Sequence, residues 1–113
     1  MQGCVFCKIV AGEIPSTIVY QDEDIVAFRD LNAQAPQHIL FIPKRHMTSM
    51  ADLTRDDGPL LARIHTVAVE VAQNLGMKQG YRFLTNVGPD GGQTVAHLHF
   101  HLMGGRKLGW PPG

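Results

Sequence analysis

One stripe of apolar residues constrains this chain more than any other feature of its sequence. Its members recur at three- and four-residue steps: Leu60, Leu61, Ile64, Val67, Ala68, Val71 and Leu75. This spacing predicts a helix of about four turns whose single apolar face must be buried against another layer. Pro59 suits the first helical turn, preceded by Asp57 or Gly58, and Gly76 is a natural end of the helix.

Several β-prone runs supply the layer on which this helix packs. They lie at residues 18–20, 25–29, 38–43, 81–85 and 94–103, and the last is the longest. A polar tetrad between the first two predicts a hairpin, and residues 4–12 favour a short helical turn. The prediction is an α+β fold, in which a five-stranded antiparallel sheet is covered by one long helix and a short N-terminal helix precedes it.

Length and composition predict one compact unit. The 113 residues, of which 44% are hydrophobic, fit a single domain over residues 1–113. Residues 104–113 carry no element of their own and are expected to form an extended C-terminal tail. Trp110 in this tail is a large apolar ring, which we expect to pack on a neighbour across a dimer interface.

Charge and segment composition narrow the partners. Ten Lys and Arg residues balance ten Asp and Glu residues, so no net positive field attracts nucleic acid or an acidic membrane surface. The apolar runs are short, and the first ten residues lack the basic region and apolar core of a secretory signal. We therefore expect a cytoplasmic protein that acts on a small substrate.

The run AHLHFHLM, residues 96–103, places histidines at alternate positions. On a strand, His97, His99 and His101 would share one face and line a cleft, with successive side chains roughly 6.5 to 7 Å apart. An imidazole is both a nucleophile and a proton carrier near neutral pH, and a neutral nucleophile approaches an anionic phosphate without repulsion. This pattern favours phosphorus chemistry. The alternatives are a half-exposed sheet face or a zinc site made of three histidines.

The segment GGQTVAHLHFHLMGGR resembles the signature of the histidine triad superfamily. The resemblance extends through GEIPSTIVYQDEDIVAFRDLNAQAPQHILFIPK, GYRFLTNVGPDGG and the closing GWPPG, and is to the Hint branch, the purine nucleoside phosphoramidases. It implies a homodimer in which the two sheets join. It also implies hydrolysis of the P–N bond of purine nucleoside 5′-phosphoramidates, such as AMP linked to an amine, without a cofactor in the chemical step.

The resemblance assigns a role to each of four histidines. His99 would attack phosphorus and form a nucleotidyl-histidine intermediate that water cleaves. His101 would hydrogen-bond the phosphate oxygens or assist proton transfer. His38, in APQHIL, would orient the other ring nitrogen of the nucleophile, as an orienting residue does in a nucleophile relay. His97 would complete this network.

Further residues are expected to bind the nucleotide. Asp30 matches the family position that accepts the ribose hydroxyls, and Trp110 would lie near the leaving amine. Four apolar residues match the base pocket of the family, although without the resemblance each would be interpreted as a residue of the hydrophobic core: Phe6, Ile9, Phe28 and Leu31.

A glycine-rich loop is expected to hold the phosphate. The backbone N–H groups of Gly92, Gln93 and Thr94, with the Thr94 hydroxyl, would stabilise its charge because glycines let the main chain approach closely. Asn86 would add a side-chain donor. The same PDGGQT run is also typical of an ordinary turn.

The CVFC pair has three interpretations. A disulfide would enclose almost no chain, and a thioredoxin-type redox pair would need a βαβ context. Zinc requires two further ligands, which histidines supply. Some members of the family that this chain resembles hold a structural zinc at positions that match Cys4, Cys7, His46 and His97. Other members lack the cysteines and bind no metal, so both outcomes stay open.

Other functions compete with the phosphoramidase. A dinucleoside polyphosphate hydrolase is the rival enzyme within the superfamily, and a nucleotide-binding adaptor with vestigial hydrolysis is the rival from another class. A zinc hydrolase is a further alternative. A nucleotidyltransferase is disfavoured because that branch resembles this pattern with the third histidine replaced, and His101 is intact.

Overall fold

An antiparallel sheet forms the centre of the protein. The computed structural model describes residues 3–113. The strands are β1 (Ile18–Gln21), β2 (Ile25–Arg29), β3 (Gln37–Pro43), β4 (Tyr81–Thr85) and β5 (Phe100–Gly104). They lie in the order β1-β2-β3-β5-β4, and each neighbouring pair is antiparallel. The predicted fold class is confirmed, including the hairpin of β1 and β2.

Two α-helices accompany the sheet. The short helix α1 spans Val5–Val10 and the long helix α2 spans Gly58–Asn74, with two 3-10 turns, Met50–Asp52 and Arg55–Asp57, before α2. Pro59 lies in the first turn of α2, and Gly76, just after its end, has a φ of +72°. These ends agree with the prediction. Within the described part of the chain, neither helix combines the length and the apolarity needed to cross a membrane.

The two helices cover different sets of core residues. The larger cluster joins the apolar face of α2 to inward residues of the sheet: Ile25, Ala27, Ile39, Phe41, Ile64, Ala68, Val71, Leu98, Phe100 and Leu102. The second cluster joins Phe6 of α1 to alternate residues of β2 and β3: Val26, Phe28, Leu40 and Ile42. Since each fully buried apolar side chain contributes roughly 1.5 to 3 kcal/mol, both clusters stabilise the sheet. The second one places α1 beside the histidines.

The segment with the histidines is less regular than predicted. The expected strand over residues 94–103 is observed only as Phe100–Gly104, and β3 is the longest strand. Before Phe100 the chain leaves the β3 ladder, and Leu98 instead donates its backbone N–H to the carbonyl of Met47 at 2.6 Å. The side chains of this segment still alternate between the two faces, because Leu98 lies in the same cluster under α2 as Phe100 and Leu102. Gly104 belongs to β5, so the tail predicted from residue 104 begins at Gly105.

Candidate active site

His99 is held by a backbone carbonyl. Its Nδ1 lies 2.7 Å from the carbonyl oxygen of His97. A carbonyl oxygen only accepts hydrogen bonds, so Nδ1 carries the ring proton. In the neutral ring the lone pair is therefore on Nε2, which is the nucleophilic atom. The Thr85 hydroxyl donates to the carbonyl of His99 at 2.6 Å and anchors the main chain beneath this ring.

His38 and His101 form a hydrogen-bonded pair whose proton positions follow from one backbone amide. The N–H of Gln34 donates to Nδ1 of His38 at 3.0 Å, so the proton of a neutral His38 is on Nε2. That Nε2 lies 2.9 Å from Nδ1 of His101. His101 therefore accepts at Nδ1 and carries its own proton on Nε2.

Burial keeps this pair uncharged. Desolvation lowers the pKa of His38, although the nearby Asp30 carboxylate, 3.4 Å from Nε2, opposes the shift. Desolvation also lowers the pKa of His101 to about 4, with further lowering by His99 and His38. Near pH 7 both rings are neutral, and Nε2 of His101 is a hydrogen-bond donor.

The rings lie closer together than the backbone rise predicts. The centroids of His99 and His101 are 5.0 Å apart with their planes at 65°, and those of His38 and His101 are 5.1 Å apart. The rings thus tilt toward each other. The site combines a nucleophilic lone pair on His99 with a donor on His101, which is what attack on an anionic phosphorus group requires.

The role predicted for His38 is corrected by these contacts. It was expected to orient His99, but it bonds to His101 instead. The register explains the difference: His38 pairs with Met103 and Leu40 pairs with His101, so His38 is the diagonal neighbour of His101 on one face of the sheet. His99 lies two residues further along, before β5 begins.

Three of the four residues predicted to line a base pocket lie together, although their binding of a base stays a prediction. The Phe6 ring packs edge-on against His99 at 5.0 Å and against Phe28 at 5.6 Å, and Ile9 packs on the same cluster. Leu31 does not join them, since it is 94% exposed in the loop after β2. Asp30, next to Leu31, lies at the His38 end of the site and accepts the backbone N–H of Asn32.

The predicted phosphate-binding loop uses most of its donors internally. The backbone N–H groups of Gly92 and Gln93 donate to the carbonyls of Pro89 and Gly88. The Asn86 amide donates to Gly91 at 2.6 Å. These three expected phosphate donors instead close a turn, which was the alternative interpretation of PDGGQT.

Thr94 and the side chain of Gln93 have different surroundings in that loop. Thr94 borders an open surface cavity of about 430 Å³ that is also lined by Cys4 and His46. The Gln93 side chain donates to the carbonyls of Thr48 and Val95 and accepts from the N–H of Gly88, so it fixes the loop. Thr94 therefore lies beside the Cys/His cluster, and its predicted role as a phosphate residue stays a prediction.

Trp110 lies in the tail and is 82% exposed. Its ring stacks against the Arg82 guanidinium, with the central carbon 5.9 Å from the ring centroid, and Arg82 donates to the carbonyl of Gly109. Within the described chain the ring is thus held near the edge strand β4 and not over His99. A place beside the substrate would require a second copy of the chain.

The cysteines and two histidines form a separate cluster. Nδ1 of His97 lies 3.4 Å from Sγ of Cys4, 3.5 Å from Sγ of Cys7 and 3.1 Å from Nδ1 of His46, which in turn lies 3.3 Å from Sγ of Cys7. A tetrahedral zinc with bonds of about 2.0 Å to nitrogen and 2.3 Å to sulfur needs donors roughly 3.3 to 3.8 Å apart, which is close to these distances. Both cysteines are unpaired thiols, so the donor set fits zinc.

The outer contact of His97 strengthens this fit. Its Nε2 donates to the carbonyl of Pro43 at 2.9 Å, which places the ring proton on Nε2 and leaves the Nδ1 lone pair facing the cysteines. A histidine that binds metal commonly donates its other nitrogen in this way. His97 was predicted either to complete the catalytic network or to bind zinc; its ring lies in the Cys/His cluster, and its carbonyl accepts the hydrogen bond from His99.

A second group of potential ligands does not fit a metal. Asp30, His38 and His101 bring one donor atom each within 4.8 Å of one another. However, Nε2 of His38 carries a proton, because Gln34 donates to its Nδ1. A metal there would have to displace that proton, so this group is a hydrogen-bonded pair with a carboxylate beside it.

Sequence reasoning missed several contributors to the site. The Gln34 amide sets the protonation of His38, the Pro43 carbonyl orients His97, and Arg106 donates to the carbonyl of Gln34. The first two act through backbone atoms, which leave no residue-type signal. Arg106 follows the histidines in the GGR run, which is the one signal that pointed to it.

Comparisons with known proteins match nearly the whole chain. The HIT domain family matches residues 11–108. A HIT family hydrolase from Legionella pneumophila is 51% identical with a TM-score of 0.96, over 98% of this chain and 100% of that one. A HIT family hydrolase from Clostridium thermocellum is 46% identical with a TM-score of 0.93, over 96% of each chain.

A relative with a metal in its name is equally similar. The 14 kDa zinc-binding protein of Zea mays is 49% identical over 111 residues, covering 96% of this chain and 87% of its own. Taken with the four imidazoles and the matched residues, these similarities show that the chain is a member of the HIT domain family.

Proposed function

We propose that this protein hydrolyses the P–N bond of purine nucleoside 5′-phosphoramidates through a nucleotidyl-histidine intermediate. The observation that carries the proposal is the opposite protonation of two adjacent rings: His99 presents a lone pair at Nε2, and His101 presents an N–H at Nε2. One attacks phosphorus while the other binds a phosphate oxygen. Similarity to two proteins named HIT family hydrolases supports hydrolysis as the reaction type.

The reaction proceeds in two displacements. Nε2 of His99 bonds to phosphorus, the P–N bond breaks, and the leaving nitrogen takes up a proton from solvent. His99 becomes a cationic nucleotidyl-imidazole, whose charge the carbonyl of His97 stabilises through Nδ1–H. Water then attacks phosphorus, releases a proton and returns His99 to its neutral form, so the proton taken up in the first step is restored.

His101 acts as a donor to phosphate and not as the acid of the first step. Its pKa of about 4 leaves it uncharged near pH 7, and a second proton on Nδ1 would confront the N–H of His38. A fixed donor aimed at phosphate oxygens stabilises the charge there, and removal of one such donor typically lowers kcat by about 100- to 1,000-fold. Of the two roles expected for His101, the geometry favours phosphate binding.

The nucleotide binds along the α1 side of the sheet in this proposal. Phe6, Phe28 and Ile9 form the apolar wall for the purine. Asp30 accepts the ribose hydroxyls, and Thr94 contributes a hydroxyl to the phosphate. Phe6 packs on the nucleophile itself, so the base wall and the reacting atom are adjacent.

We also propose that zinc binds at Cys4, Cys7, His46 and His97 and has no part in the chemical step. It would supply a fixed cross-link between α1 and the segment before β5. The donor spacings support this site, as does similarity to the maize protein named for zinc binding.

A homodimer is the assembly we propose. Strand β4 lies at the edge of the sheet, and Tyr81 on it and Val69 on α2 are exposed. An edge strand with apolar neighbours is a template for pairing with a second chain. Sedimentation equilibrium at several concentrations measures this directly: a single species with twice the chain mass supports the dimer, and a monomer of 12.4 kDa contradicts it.

A comparison of two substrates tests the function. Purified protein is given adenosine 5′-phosphoramidate or diadenosine tetraphosphate, and the products are separated by chromatography. The proposal expects faster hydrolysis of the phosphoramidate. Faster hydrolysis of the tetraphosphate would indicate the polyphosphate hydrolase instead, and binding of AMP without turnover of either substrate would indicate an adaptor.

A further inference from the structure

The direction of the His38–His101 hydrogen bond depends on a loop that does not itself contain a histidine. If the N–H of Gln34 were withdrawn, only the Asp30 carboxylate, 3.4 Å from Nε2 of His38, would still favour the proton on that nitrogen, and Nδ1 would be free to carry it in part of the molecules. With the proton on Nδ1, His38 would accept from Nδ1–H of His101. Nε2 of His101 would then present a lone pair, which repels a phosphate oxygen.

The loop is held by a residue from the other end of the chain. Gln34 is exposed in the segment between β2 and β3, and Nη2 of Arg106 donates to its carbonyl at 2.9 Å. Nη1 of Arg106 donates to the carbonyl of Lys107 at 3.1 Å, which fixes the guanidinium in place. A charged donor makes a stronger hydrogen bond than a neutral one.

The two glycines after the histidines make this contact reachable. Gly104 pairs with Gln37 in the sheet, and Gly105 turns with a φ of +91°, where a Cβ would lie 2.9 Å from Cβ of Pro36. The chain therefore passes directly against the loop that carries Gln34, and Arg106 is the next residue. Within the GGR run, Gly105 thus allows close contact with the loop, and Arg106 supplies the charged hydrogen-bond donor that holds it.

We infer that Arg106 is a positioning residue that holds Gln34 against His38 and so keeps the proton of His101 on Nε2, facing the phosphate. The expected effect on turnover rests on the proposed function, whereas the expected effect on the position of the proton does not. Arg106 acts through Gln34 and His38 and does not touch the substrate.

Two measurements on one set of variants test it. Arg106→Ala removes the anchor, Arg106→Lys retains a cationic donor, and Lys107→Ala removes a charge from the adjacent position. Nitrogen-15 chemical shifts of the imidazole rings report which nitrogen of His38 and His101 carries the proton. We expect protonated Nε2 on both rings in the original chain, mixed protonation in Arg106→Ala, and at least partial restoration in Arg106→Lys.

Turnover of the phosphoramidate provides the second measurement. We expect kcat of Arg106→Ala to fall by about tenfold, a fraction of the effect of losing a phosphate donor outright, while KM changes less. Lys107→Ala should match the original protein in both measurements. The dispersion of the amide spectrum verifies that each variant is folded.

The outcomes separate this inference from the proposed function. Unchanged ring protonation and unchanged kcat in Arg106→Ala would overturn the role of Arg106, whatever the substrate. A protein that does not hydrolyse phosphoramidates, yet shows the expected change in protonation, would overturn the proposed function and leave the anchor in place.

Discussion

The carbonyl oxygen of His97 lies 2.7 Å from Nδ1 of His99, while the ring of His97 points away toward Cys4 and Cys7. One residue therefore takes part in two sites, with its backbone in the candidate active site and its side chain in the Cys/His cluster. The nucleophile is oriented by a main-chain atom whose position depends on how the His97 ring is held.

Replacement of the nucleophile tests the assignment of His99. His99→Ala removes the lone pair that attacks phosphorus, so we expect phosphoramidate turnover to fall by at least about 1,000-fold. Affinity for AMP should stay within about tenfold, or 1.4 kcal/mol, because the apolar wall and Asp30 are retained. Steady-state kinetics and calorimetry measure the two quantities.

The covalent intermediate is a direct check on the same residue. Rapid alkaline quenching of the original protein during turnover preserves the acid-labile P–N bond to histidine, and peptide mass spectrometry without acid treatment should then locate the nucleotide on His99. Turnover that persists in His99→Ala, or a nucleotide attached elsewhere, would reject the assignment.

Removal of the cysteines tests the metal site. We expect the original protein to contain about one zinc per chain and the double variant Cys4→Ser, Cys7→Ser to contain almost none. The variant should melt at a lower temperature because a metal bound only by the folded state adds to its stability. Metal analysis and thermal unfolding measure both effects, and Val5→Ser, an exposed change in the same helix, is the matched control.

The same variant separates a structural metal from a catalytic one. A structural zinc predicts residual turnover in the metal-free variant, slowed because His97 is less firmly held. Activity that disappears completely and returns in proportion to added zinc, while the chain stays folded, would favour a zinc hydrolase.

Acid should destabilise the protein through His101. Its pKa is about 4 in the folded state and about 6.5 in the unfolded chain. Below pH 6.5 the unfolded state binds the proton first, so the stability present above pH 6.5 is lost as pH falls toward 4. The full loss from this residue is about 3 kcal/mol, and burial of His38 adds to it in the same direction.

Urea unfolding between pH 4 and pH 7 measures this dependence. His101→Asn should flatten the curve relative to the original protein, and Gln73→Asn, an exposed change on α2 that removes no ionisable group, should leave its slope unaltered. Equal slopes in the original protein and His101→Asn would contradict the lowered pKa.

A methyl group at Gly105 should destabilise the fold. The left-handed backbone there costs a non-glycine residue about 1 to 2 kcal/mol, and the added Cβ would lie 2.9 Å from Cβ of Pro36. We expect Gly105→Ala to lower the unfolding free energy by about 2 kcal/mol or more. Gly109→Ala, where a Cβ meets open space, should change it by less than about 0.5 kcal/mol.

Side-chain periodicity predicted most of the fold. The stripe from Leu60 to Leu75 gave the long helix, and the alternation at residues 97–102 gave the correct face for each side chain, because both signals come from repeated burial of apolar groups. The start of β5 was wrong: residue 94 was predicted, and the strand begins at Phe100. Leu98 bonds to Met47 and not to β3, and that choice depends on a distant loop with no periodic signal.

Residue types predicted the site less completely than the fold. The structure brings the predicted side chains together in two groups, His38 and His101 beside His99, and Cys4 and Cys7 with His46 and His97, while their roles stay predictions. The partner of His38 was wrong, because it depends on strand register. The N–H groups of Gly92 and Gln93 were wrongly assigned to phosphate. Both donate to carbonyls within the turn, and residue types alone do not show which backbone donors a turn uses.

The opposite placement of α2 and the imidazoles has a practical consequence for altering this protein. Substitutions on the solvent side of the long helix can raise thermal tolerance without disturbing the reacting groups, because the full thickness of the sheet separates the two. Changes of substrate preference are instead expected around α1, a six-residue helix that carries both Phe6, which packs against His99, and Cys7 of the Cys/His cluster. Durability and selectivity are thus adjustable by independent sets of mutations.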